Sequence, residues 1–234
     1  MVNQNQGQRM LQIMSAIFIA SLVACNLIFQ KFFILDLHYF VLILSVGIIP
    51  YPITFLITDI ISEIYGKEKA NKLVLSGFFA SIFVIIILLI SDYVTAVYFS
   101  PVDDATFNQV FGLFGPAVFA SMCAYLFAQF IDIRIFHYFK EATNGKHFWL
   151  RNNCSTLFSQ MIDTASVISL LCIASDMGWS TGLSWNRFPE LFVAGYLFKV
   201  MVALIDTPIA YICCYYLRKK FNLKLGESLS NRSS

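Results

Sequence analysis

Apolar residues in this 234-residue chain neither alternate nor form narrow stripes; they run in long blocks separated by short polar segments. A helix that crosses the hydrocarbon core of a bilayer needs about 20 such residues at 1.5 Å of rise each. Six blocks reach that length, approximately Leu11 to Phe29, Phe40 to Ile61, Leu73 to Ile90, Gly115 to Phe136, Asn153 to Ala174 and Leu191 to Leu217. The last is long enough to tilt or to extend past the bilayer. Strand-period alternation is missing, which argues against a β-barrel. The first block is too long for the apolar core of a secretory signal, its leader has one Arg, and no small-residue cleavage site follows, so it reads as a retained helix. Pro50 and Pro52 remove backbone donors and disfavour helix in the residues before them, so the second span is expected to be broken there. The pattern predicts an all-α polytopic membrane protein with six transmembrane helices in a single domain, residues 1–234.

Lys and Arg orient these spans, because they accumulate in cytoplasmic loops. Thirteen of the sixteen fall on one side: Arg9, then Lys67, Lys69 and Lys72, then Arg134, Lys140, Lys146 and Arg151, then Arg218, Lys219, Lys220, Lys224 and Arg232. The other side has Lys31 and Arg187, together with Asp92, Asp103, Asp104 and Asp176, while Lys199 lies inside a span. Both termini are therefore expected in the cytoplasm.

Composition agrees and removes other classes. With 58% hydrophobic and only 13% charged residues, at a mean hydropathy of +0.71, the chain lacks the polar material to coat a soluble fold. Disorder, a secreted disulfide scaffold and a nucleic-acid-binding domain are excluded. The six cysteines sit in apolar surroundings without C-x-x-C spacing, so no metal, cofactor or disulfide framework is expected, and they read as small hydrophobes.

A charge at the centre of a spanning helix costs about 2.5–3.5 kcal/mol on insertion scales, so ionisable residues inside the blocks carry the functional information. They are Asp59, Asp132, Asp163, Lys199 and Asp206, with Glu63 and Arg134 at block ends. Asp59 and Glu63 are four apart and share a helix face, just after the proline break. Interrupted helices at membrane depth are tolerated where they face protein or water, as in transporter sites. The alternative for Glu63 is that it marks a span end beside Lys67 and Lys69.

An internal echo adds to this. Residues 123–132 read CAYLFAQFID and residues 154–163 read CSTLFSQMID, identical at six of ten positions. Each copy sets Gln and Asp three apart on one face, Gln129 with Asp132 and Gln160 with Asp163, continuing stripes with Ser121 and Tyr125 or with Thr156. Successive spans run antiparallel, so the copies face each other inverted. Hydroxyl and amide residues also serve as interhelical glue, worth about 0.6 kcal/mol per bond, but glue does not account for two carboxylates. Counting 1.5 Å per residue puts Lys199 about 13 Å from the outer end of its span and Asp163 about 12 Å from the same face, so the two are expected to pair. Asp132 and Asp206 fall deeper, near Arg134 and Arg151, and either serve the site or are simply neutralised by those arginines. Carboxylates, glutamines and a lysine among many aromatic residues suit a flat, neutral-to-cationic heterocycle. Purines, pteridines, amino-acid-like cations and protons all remain compatible with the residue types.

The segments YPITFLITDIISEIYG (51–66), ASMCAYLFAQFIDIRIF (120–136), NNCSTLFSQMIDTASVI (152–168) and GYLFKVMVALIDTP (195–208) resemble the queuosine precursor transporter family, also described as vitamin-uptake-transporter-like. The likeness covers nearly the whole chain. It implies a bacterial inner-membrane, multi-pass importer of 7-cyano-7-deazaguanine or 7-aminomethyl-7-deazaguanine, working by alternating access. It also implies a lipid bilayer and a small-molecule 7-deazapurine as partners, no nucleic acid, and room for a homo-oligomer. The family motifs fall on Asp59, Glu63, Gln129, Asp132, Arg151, Ser155, Thr156, Gln160, Asp163 and Lys199. Asp163 or Asp132 would grip the guanine-like edge, Gln129 and Gln160 would orient it, and Lys199 would fix a carboxylate. Proton coupling, facilitated diffusion with trapping, and help from a separate ATPase are all open. A substrate-binding subunit of an ATPase-driven complex, a structural subunit and a membrane-embedded aspartyl enzyme are the competing classes; the G-x-G-D setting associated with the last is absent.

Overall fold

The computed structural model describes residues 2–36, 41–112, 116–178, 183–224 and 226–229. Among them are seven α-helices: α1 (Val2–Ile28), α2 (Tyr51–Ile64), α3 (Lys67–Tyr93), α4 (Asp104–Phe111), α5 (Pro116–Ala142), α6 (Phe148–Asp176) and α7 (Phe188–Phe221). Among the described residues five segments are long and apolar enough to cross a membrane: Asn5–Ile28, Val46–Ile64, Lys67–Tyr93, Phe148–Asp176 and Trp185–Phe221. The predicted fourth span corresponds to α5, a helix of 27 residues. Its first predicted residue, the Ser121 side chain and Arg232 lie outside what the structure describes.

The all-α expectation needs one correction. Residues 32–36 and 41–45 form two antiparallel strands, β1 (Phe32–Asp36) and β2 (Val41–Ser45), with Ile34 opposite Ile43. The second apolar block is therefore strand rather than helix over residues 41–45, and its first predicted residue, Phe40, lies outside the described residues. Val41, Leu42, Ile43 and Leu44 are β-branched or bulky and alternate exposed with buried, a pattern that fits a pleated ribbon. A single 3-10 turn (Val46–Ile48) follows, and α2 starts only at Tyr51, with Pro50 at its N-cap. The prolines thus set the start of a short helix rather than kinking a long one; Pro52 sits in the first turn, where its missing N–H costs nothing.

That short helix is central. Residues Thr54 to Ile64 of α2 are buried except Leu56, and it packs against α1, α3, α5 and α7. Gly66, at φ 89°, lets the chain reverse directly into α3, a conformation that a Cβ would disfavour. The neighbouring Tyr65 hydroxyl donates to the Gly7 carbonyl at 2.9 Å and ties the turn to α1. α6 lies between α5 and α7. The extra helix α4 is capped by Asp103, whose carboxylate accepts from Thr106 N–H at 2.8 Å and is held below its usual pKa by Thr106's side-chain and backbone donors.

The distribution of polarity is inverted relative to a water-soluble protein. Phe79, Phe83 and Ile90 on α3, and Leu204, Ile205 and Ile212 on α7, are exposed, while Asp59, Glu63, Gln129, Asp132, Arg151 and Asp163 are buried. An apolar exterior of this extent around a charged interior needs lipid as its solvent. The molecule is a multi-pass membrane protein.

Candidate functional site

The buried polar groups form a column between two cavities. At the hairpin end, a cavity of about 270 Å³ lies among α1, β2, α3, α6 and α7. Its lining is mainly apolar, with Asn26, Ser81, Tyr51, Tyr125, Asp163 and Lys199 among the polar exceptions. At the other end a cavity of about 580 Å³ is lined by Glu63, His147, Tyr211 and Arg218, among others. Lys199 and Arg218 mark the two ends along α7 and stand about 28 Å apart at 1.5 Å per residue, close to the thickness of a bilayer core.

Beside the first cavity, Lys199 Nζ lies 2.7 Å from Asp163 Oδ2, the pairing that the depth count predicts. The Tyr51 hydroxyl donates to the same oxygen at 2.5 Å, and Lys199 Nζ also sits 4.5 Å from the centre of the Tyr51 ring. Asp163 Oδ1 is buried and finds no donor among the described residues. Tyr51, Phe55 and Tyr125 pack ring against ring with centroids 5.3–6.2 Å apart, making an aromatic wall beside the carboxylate.

The middle of the column is a layer of uncharged donors and carboxyls. Gln129 donates through Nε2 to the Tyr125 hydroxyl at 2.7 Å, and its Oε1 accepts from Thr58 at 3.4 Å. Ser159 donates to Asp132 Oδ1 at 2.9 Å, and Asp132 is also in hydrogen-bond reach of Asp59. Ser155, Thr156 and Gln160 are buried in the same layer on α6. Of the two alternatives for Asp132 and Asp206, neutralisation by Arg134 and Arg151 does not hold among the described residues. Arg134 is exposed, and neither arginine forms an ion pair with those carboxylates among the described residues. Asp206 instead lies half-buried beside a crevice that it shares with Gln160 and Lys199.

At the far end Glu63 is completely buried and collects three cations. Arg151 reaches Glu63 Oε1 at 2.7 Å, Lys140 reaches Oε2 at 3.2 Å, and Arg218 also contacts Oε1. Glu63 therefore does not merely mark the end of a span beside Lys67 and Lys69. Arg151 also donates to the Gly145 and Lys146 carbonyls at 3.0 and 3.1 Å and lies 5.0 Å from the Phe148 ring centre. One carboxylate thus binds α2 to α5, α6 and α7. Lys140, Arg151 and Arg218 count among the cations of one face in the charge pattern, yet they turn inward, as one buried anion draws them.

All ten residues singled out in the sequence line this column. Nine are buried and Lys199 is half-buried. They do not make one cluster: Asp163 and Lys199 lie at the first cavity, Glu63 and Arg151 at the other end, and the remaining six between. Tyr51, Ser159, Lys140 and Arg218 were missed. Tyr51 stands between two prolines, a signal of its special position. Ser159 was hidden because the other copy of the echo has Ala128 at its place.

A lipid-facing helical shell around a polar column, with cavities at both ends, is the architecture that a membrane transporter needs. Residues 45–213 match the family described as putative vitamin uptake transporter, and the chain belongs to that family. It is 26% identical over 170 residues to a protein named probable queuosine precursor transporter from Bacillus subtilis (strain 168), covering 71% of this chain and 70% of that one. A Haemophilus influenzae protein with the same name is 28% identical over 168 residues, covering 70% and 66% respectively. The Escherichia coli (strain K12) protein named queuosine precursor transporter is 25% identical over 162 residues, covering 68% and 67%. No solved structure matches the chain significantly.

Proposed function

We propose that the protein imports 7-deazaguanine precursors of queuosine, 7-cyano-7-deazaguanine or its 7-aminomethyl relative, across the bacterial inner membrane by alternating access. The relatives' names support the substrate class. The observation that carries the reading is the Asp163 carboxylate beside an apolar cavity, with one oxygen held by Tyr51 and Lys199 and the other without a donor among the described residues. A 2-amino-4-oxo pyrimidine edge offers adjacent N–H donors to such a carboxylate and a carbonyl acceptor to the lysine. The cavity volume of about 270 Å³ suits one bicyclic heterocycle, and the Tyr51–Tyr125 wall gives its face a stacking surface.

In this reading six helices span the membrane, with α5 among them and both termini cytoplasmic, so the hairpin-end cavity faces outward. Substrate entering there meets the Asp163–Lys199 pair, while the Glu63 hub holds the cytoplasmic side shut. Opening inward requires α2 to part from the cations of α5, α6 and α7. The test is queuosine formation in tRNA of a strain that neither makes nor imports the precursor, with this gene restored. Feeding 7-cyano-7-deazaguanine should restore queuosine, and the purified protein should gain thermal stability with that ligand but not with guanine. No queuosine on feeding would sink the assignment. Queuosine only when a separate ATPase is present would replace it with the binding-subunit alternative.

A further inference from the structure

Among the described residues, Asp59, Glu63, Asp132 and Asp163 are carboxylates buried in the helical interior. Glu63 meets three cations and Asp163 meets one, whereas no ion pair with another described residue reaches Asp59 or Asp132. Their carboxyls lie within hydrogen-bond reach of each other in the buried interior instead. Two ionised carboxylates offer only acceptors, so a bond between them needs a proton on one member. Asp59 Oδ1 finds no N–H or O–H donor among the described residues.

We propose that the Asp59–Asp132 pair binds the proton that travels with the substrate, making uptake proton-coupled; the proposal rests on the transporter reading above. The pair is built from two helices, α2 and α5. From α6 it is faced by Ser159, which donates to Asp132, by the Ser155 and Thr156 hydroxyls, and by Arg151. From α7 come the Asp206 carboxylate and the Cys214 thiol. On α2 and α5 themselves the adjoining polar groups are Thr58, Ser62 and Gln129. A metal cation would have to insert between oxygens already joined to each other, so the bridge favours a proton.

Position links this proton to both ends of the column. Ser159, the donor to Asp132, is one turn from Asp163 on α6, about 6 Å along the axis. In the other direction Asp59 and Arg151 feel each other's charge, and Arg151 is held by Glu63. With the cavity open outward, one proton adds to the pair and forms the O–H that closes the bridge. On inward opening that O–H breaks, the proton leaves to the cytoplasm, and two carboxylates remain. The extra negative charge then competes with Glu63 for Arg151 and keeps the already opened hub apart while the substrate leaves.

Infrared spectroscopy of the purified protein at neutral pH tests the proton directly, without substrate. The wild type should show a protonated-carboxyl C=O band that Asp59→Asn or Asp132→Asn removes and Asp206→Asn retains. If either Asn variant fails to fold, Asp132→Glu must shift the band. No such band in the wild type overturns the proposal. In proteoliposomes, a one-unit pH gradient, acid outside, should concentrate labelled 7-cyano-7-deazaguanine up to about tenfold, as one proton per neutral solute allows. Accumulation that ignores the pH gradient, follows a sodium gradient, or survives in both Asn variants overturns it as well. Failure of the wild type even to exchange labelled for unlabelled precursor would instead refute the substrate assignment, leaving the infrared result to judge the proton site.

Discussion

Asp163 and Lys199 illustrate how a costly residue becomes useful. Each alone would be an uncompensated charge in a low-dielectric interior; together, with Tyr51, they offset that cost and leave one carboxylate oxygen for a ligand. Replacing Asp163 by Asn removes a charge-assisted bond worth about 1.5–3 kcal/mol, so precursor affinity should fall at least about tenfold in a binding titration. The exchanged pair, Asp163→Lys with Lys199→Asp, should recover stability but not uptake. Full recovery of uptake would show that neither group touches the substrate. The two residues were readable in the sequence because a carboxylate and a lysine at the same depth have no topological reason to be inside. Tyr51 was not, since a tyrosine at the edge of an apolar block costs little and therefore signals little.

At the scale of elements, the hairpin and the 3-10 turn replace the first half of a predicted helix and bring the start of α2 to the cavity. The close approach depends on Gly47. A methyl group there would lie 2.8 Å from the Cys25 carbonyl oxygen and 3.0 Å from Phe29 Cα, both on backbone that cannot move aside cheaply. Gly47→Ala should therefore destabilise by about 1–3 kcal/mol, read as a lower melting temperature in detergent, and should reduce uptake by displacing Tyr51. Apolar content alone could not distinguish strand from helix over residues 41–45, because a short apolar run satisfies either period. The break itself was visible, since proline acts on its immediate neighbours whatever the surroundings.

For the whole molecule, Glu63 is the point at which α2 meets three other helices. Removing its charge leaves Lys140, Arg151 and Arg218 facing one another without an anion. Glu63→Gln should cost about 3–5 kcal/mol, seen as a marked drop in thermal stability, whereas substitutions of the exposed Lys67 or Lys69 should have little effect. The sequence by itself determined the apolar blocks, the side on which cations gather and the short set of interior charges. Each of these follows from a local rule: the bilayer sets a length, and it makes every misplaced charge expensive. The tertiary structure decided what those charges do. Asp132 and Asp163 end near-identical Gln-containing motifs, yet one faces Asp59 and Ser159 and the other faces Lys199 and Tyr51. An antiparallel pair of helices carries equal motifs to unequal depths, and the groups waiting there come from distant parts of the chain.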